Sequence, residues 1–142
     1  MKKKLTTVLA AMLALVMTFA LAACGGKPSL ADWYADNESE FTAITDSVNS
    51  QSEAMGCTME IVVEDSNALV FRYTLIDAFD TSDPANVEAL GQIYDSMFDS
   101  YVSTFSEVRT QVMEETSTEN VIIRLVALNP DGTELYSRDF TE

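Results

Sequence analysis

Hydrophobic positions recur along this chain with two different periods, and the switches between them divide it into six elements. Leu30, Tyr34, Phe41, Ile44, Val48 and Met55 follow one another at steps of three, four and seven, with polar Asn37 and Gln51 in the two remaining places on that stripe. Such spacing gathers the apolar side chains on one face of a helix. Ser29 stands where an N-cap is expected and Gly56 where a helix stops. The period then changes to two. Met59, Ile61 and Val63 alternate with Glu60, Val62 and Glu64; after Asp65-Ser66-Asn67, the residues Leu69, Phe71, Tyr73 and Leu75 alternate with Val70, Arg72, Thr74 and Ile76. Two alternating runs around a polar turn predict a pair of antiparallel strands.

A second unit repeats this order. Asp83-Pro84 pairs a cap with a first helical residue, and the stripe Val87, Leu90, Tyr94, Met97, Tyr101, Phe105, Val108 and Val112 predicts a helix to about Glu115. At about 1.5 Å per residue that helix is about 48 Å long, against about 27 Å for an eight-residue strand. Either it breaks or its surplus packs on the first helix; the unbroken stripe favours the second outcome. Residues 121–128 are apolar on both faces and suit an inner strand. Asn129-Pro130-Asp131-Gly132 is a turn, and Glu134 to Phe140 is polar enough for an edge strand. The expected fold is α+β in the order αββαββ: a four-stranded antiparallel sheet with two long helices packed on one face. The core is expected at Met59, Ile61, Phe71, Tyr73, Ile123, Leu125 and the helix stripes. Apolar residues on both faces of some strands leave a second sheet face available to a partner.

The amino terminus follows another pattern. Lys2-Lys3-Lys4 precedes an apolar stretch from Leu5 to Ala20, and Leu21-Ala22-Ala23-Cys24 follows. A basic start, an apolar run and small residues at a cleavage point are the marks of a secretory signal. The ending resembles the lipobox of bacterial lipoproteins. That resemblance implies removal of residues 1–23, a diacylglycerol on the sulfur of Cys24, and residence on the outer face of the plasma membrane. The alternatives are a spanning helix from Leu5 to Ala23, long enough at about 19 residues, or a signal cleaved without lipidation. Residues 24–29 read as the lipidated cysteine and a flexible tether, and 30–142 as one acidic domain. Signal, tether and αββαββ order together resemble a family of small Gram-positive (Firmicutes) lipoproteins known as a domain of unknown function, which brings no functional residue with it.

Removing the signal changes the composition that matters. The 142 residues less those 23 leave 119, enough for one core. Lys27, Arg72, Arg109, Arg124 and Arg138 then face all 23 carboxylates, a formal charge of −18. Such a surface repels nucleic acid and anionic headgroups; solubility and colloidal stability outside the cell account for it first, and attraction to a basic partner or divalent cations is the sharper alternative. The chain has no histidine, which removes the commonest general base and zinc ligand. With Cys24 committed to lipid, Cys57 has no partner for a disulfide and suits a small buried position.

Few groups remain as candidates for chemistry. Asp77, Asp80 and Asp83 offer three carboxylates in seven residues for a hard cation, but the spacing does not match a calcium loop, and helix capping with placement near a positive helix end accounts for them better. Trp33, beside the first stripe and near the tether, is a candidate contact surface. Tyr34, Tyr94, Phe98 and Tyr101 sit at helical spacing, which suits core. No catalytic set is identified, no cofactor is expected beyond the diacylglycerol on Cys24, and the oligomeric state is left open. The function expected is non-catalytic binding of a protein or cell-envelope component, with the membrane reached through the lipid. The alternatives are an accessory protein binding a small solute or a divalent cation, and, with least support, an envelope hydrolase working through carboxylates alone.

Overall fold

The two hairpins join through their inner strands. The computed structural model describes residues 26–142; Cys24 and the expected signal lie outside the described residues. Strands β1 (Cys57–Glu64), β2 (Ala68–Leu75), β3 (Ile122–Leu128) and β4 (Glu134–Phe140) lie side by side in chain order. Both hairpins are antiparallel. The central pair corrects the expectation of a wholly antiparallel sheet: β2 and β3 are parallel, from Ala68 opposite Ile122 to Thr74 opposite Leu128. The cause is the connection between them. A helix lying along a sheet carries the chain back past the strand it has just left, so the next strand sets out from the same end. The fold is α+β, as expected, with a mixed sheet.

The helices are less continuous than their stripes suggested. The first is three pieces: α1 (Leu30–Asp36), α2 (Glu38–Asn49) and α3 (Ser52–Met55). Its breaks fall at Asn37 and Gln51, the two polar places in the stripe, which share φ −109° with ψ 12° and 11°. The Asn37 side-chain amide donates to the Trp33 carbonyl at 2.7 Å, a local bond that competes with helix extension. Gly56, at φ 76°, ends α3 in a left-handed conformation that glycine tolerates best. The second helix also breaks, against the expectation that it would run straight and lay its surplus on the first. A 3-10 turn at Asp99–Tyr101 separates α4 (Pro84–Phe98) from α5 (Val102–Glu115). The bend lets α4 follow β4 while α5 crosses β3 and β4, so both halves keep apolar contact with a sheet too short for a straight rod. The predicted caps hold: Ser29 Oγ accepts from the Asp32 N–H at 3.1 Å, and Asp83 Oδ1 from that of Ala85 at 2.9 Å.

One face of the sheet and the helices enclose the main core. Met59, Ile61, Phe71, Tyr73, Ile123 and Leu125 are all buried there, with Leu30, Phe41, Ile44, Val48, Phe98, Phe105, Val108 and Val112 from the helices. The rings of Phe105 and Phe140 pack at a tilt with centroids 4.5 Å apart, and those of Tyr94 and Tyr136 at 5.0 Å. Helix α2 also closes the outer edge of β1. The Asn49 side chain accepts from the Met59 N–H at 2.7 Å and donates to the Met59 carbonyl at 3.0 Å, while the Tyr34 hydroxyl donates to the Ile61 carbonyl at 2.5 Å. These bonds occupy backbone groups that would otherwise invite another strand. At the opposite end, the Asn129 side chain holds the loop after β2, accepting from the Phe79 N–H at 2.8 Å and donating to its carbonyl at 3.0 Å.

Candidate functional site: the helix-free face of the sheet

Strand register decides what the second sheet face presents. One row runs Glu60, Arg72, Val126, Ser137; the next runs Val62, Val70, Arg124, Asp139; a third ends in Thr74, Leu128 and Glu134. A small apolar cluster of Ala68, Val70 and Val126 lies at its centre, bordered by Val62, Ile122 and Leu128. Val70 is wholly buried and Val126 nearly so, although no helix among the described residues covers this face. Arg72 and Arg124 stand beside them in register, and long basic side chains shield apolar neighbours with their stems.

The two guanidiniums are held in a carboxylate lattice. Arg72 Nη1 reaches Glu60 Oε1 at 2.6 Å, and its Nη2 pairs with Glu64. Arg124 forks onto Asp139, Nε to Oδ1 at 2.6 Å and Nη2 to Oδ2 at 2.9 Å, and its Nη1 lies 3.4 Å from Asp65 and 3.9 Å from Glu64. Glu64 therefore links both arginines. The hydrogen bonds from Arg124 hold the Asp139 carboxyl below the ordinary carboxylate range, against a weaker opposing effect of burial.

A groove of about 510 Å³ opens beside this lattice, within the range of about 300–1,000 Å³ usual for ligand clefts. Val126 and Leu128 form its floor. Glu64, Arg72, Arg124, Glu134, Ser137 and Asp139 line it around them. Glu134 and Ser137 are exposed. The remaining two arginines serve the helix-bearing side. Arg138 Nη1 pairs with Asp99 at 2.9 Å and its guanidinium lies 5.0 Å over the Phe140 ring, while Arg109 Nε donates to the Val121 carbonyl at 2.6 Å.

The residues singled out in the sequence lie elsewhere. Trp33 is not an exposed contact: it is 5% exposed, packs edge-on against Phe41 at 5.6 Å, and its Nε1 donates to Glu115 Oε2 at 2.9 Å. Its place beside the stripe turned it inward once α1 settled against the end of α5. Asp77, Asp80 and Asp83 do not gather around a cation. Side-chain and then backbone hydrogen bonds from Ser82 lower the Asp80 pKa, and Asp83 caps α4; among the described residues no three acidic or cysteine side chains form a group that could hold a metal ion. Cys57 is buried and free, and burial pushes its thiol up. The groove residues were not picked out as a site in the sequence. Their signal was present in the strand positions of opposite phase to the core, but assembling it required the parallel pairing of β2 with β3.

Fold and groove together define a small α+β domain with one face covered by helices and one open, charged face. The chain belongs to the family described as Domain of unknown function (DUF4854), whose match spans residues 30–140. Neither the curated proteins nor the solved structures provide a match to it. Among the described residues, no helix is long and apolar enough to cross a membrane.

Proposed function

We propose that the chain is a lipoprotein held through Cys24 on the outer face of the plasma membrane, and that its domain is a non-catalytic binding module for a protein or cell-envelope component. The observation that carries this reading is the groove on the helix-free face: a small apolar floor ringed by charged and polar groups and open to solvent. Fixed polar groups around an apolar floor are how binding clefts combine affinity with orientation. The chemistry beside it favours binding over catalysis. Asp139 is held ionised by Arg124, the opposite of the raised pKa a general acid needs, and no histidine exists to activate a hydroxyl.

The amino-terminal segment bears on geometry. The Pro28 carbonyl accepts from the Ser117 N–H at 2.7 Å, and the Leu30 N–H donates to Thr118 Oγ1 at 2.9 Å. The chain is thus fixed to the domain from Pro28 onward, and residues 24–27 span at most about 14 Å. A lipid on Cys24 then keeps the domain close to the membrane, with the loop around Ser117 nearest the lipid.

The test is affinity capture from detergent-solubilised membranes, comparing the full chain with Ser137→Trp, which fills the groove from an exposed position. The expected result is a partner retained by the unaltered chain and lost with the tryptophan variant. Equal recovery from both would remove the groove from the account.

A further inference from the structure

We infer that the groove takes a lysine-bearing segment of a partner protein, with the lysine stem lying over the half-buried Leu128 and its ammonium against Glu134. The inference rests on the open face being the binding surface and adds the charge of what binds there.

The sign of the charge follows from which groups are already engaged. Five carboxylates stand on or beside this face, at Glu60, Glu64, Asp65, Glu134 and Asp139, against the two guanidiniums of Arg72 and Arg124. Both guanidinium charges are already paired: Arg72 with two carboxylates, Arg124 with the bidentate Asp139 and with Asp65 beside it. An anion entering the groove competes with those carboxylates for the same two cations. A cation displaces nothing, because Glu134 is exposed at the start of β4 and outside the lattice. The field of the whole chain, formally −15, points the same way.

The shape of the cation follows from the floor. A bare ion gains nothing from Val126 and Leu128. Lysine covers apolar surface with its methylenes while its ammonium reaches a polar rim. The groove is open to solvent, which suits a side chain presented from an extended segment lying across the sheet.

The experiment is a nitrogen-15 NMR titration of the full chain in zwitterionic detergent micelles, using a short capped peptide of alternating lysine and alanine and, in parallel, its glutamate counterpart. The lysine peptide is expected to move the amides around Val126, Leu128, Glu134 and Ser137, and the glutamate peptide to leave them in place. Glu134→Gln should weaken binding by up to about fivefold, the upper end for an exposed ion pair, whereas Glu88→Gln on the exposed side of α4 should not alter it; added salt should weaken it further. Shifts spread over the whole acidic surface, equal effects of both variants, binding of the glutamate peptide in the groove, or no binding of the lysine peptide would each overturn the inference. If a captured partner is still lost with Ser137→Trp while the lysine peptide ignores the groove, only the inferred charge of the partner falls. If neither result appears, the binding role of the face falls with it.

Discussion

Arg124 and Asp139 show most plainly how single residues shape the open face. Their bidentate pairing, at 2.6 and 2.9 Å, lays the Arg124 stem beside Val70 and holds both residues in the lining of the groove. Because the folded state depresses the Asp139 pKa, its pairing favours folding above the ordinary value of about 3.9. That contribution is lost as pH falls through the lower folded value. NMR titration of the Asp139 side-chain carboxyl should therefore give a midpoint below 3.9, and Arg124→Gln should return it to about that value. A midpoint at or above the ordinary value in the unaltered chain would contradict the lattice. Residue identity in the sequence revealed only part of this. Arg72 could be matched with Glu60 from the alternation of the first hairpin, where the two are directly opposed. Arg124 and Glu64 are separated by sixty positions and meet only through the β2–β3 pairing.

At the scale of elements, hydrophobic period located every strand and every helical region, because burial on one side of a sheet or helix must repeat at the pitch of the backbone. What it passed over were interruptions. Asn37 and Gln51 look like tolerated polar steps in a stripe, yet each is where the helix ends and restarts. The Asp99–Tyr101 turn has no apolar lapse at all; its cause is the length of the sheet. Strand direction was also hidden, since alternation is the same in parallel and antiparallel strands. The edge of β1 is an element-scale device in its own right, closed by Asn49 and Tyr34 from the first helical layer. Asn49→Ala removes two hydrogen bonds and uncovers Met59. It should lower stability by about 1–3 kcal/mol in urea unfolding and, by freeing the strand edge, produce concentration-dependent association in analytical ultracentrifugation. Unchanged stability and a monomer at all concentrations would show that the edge needs no cover.

Over the whole molecule, the two faces of one sheet divide the work. The helix-bearing face supplies the core, and the open face carries the groove and its charge lattice. The same division explains why Trp33 and the Asp77–Asp83 region, both prominent in the sequence, proved structural: one fills the seam between α1 and α5, the other caps α4. With the lipidation of Cys24 proposed above, the short segment fixed at Pro28 would hold this arrangement close to a membrane, within reach of a partner anchored there. The central claim, that the helix-free face is where the domain binds, is tested most directly by photo-crosslinking in living cells, with the reactive amino acid placed either at Ser137 in the groove or at Glu107 on exposed α5. The account predicts a discrete adduct from Ser137 and none from Glu107. The same adduct from both positions, or none from Ser137, would contradict it.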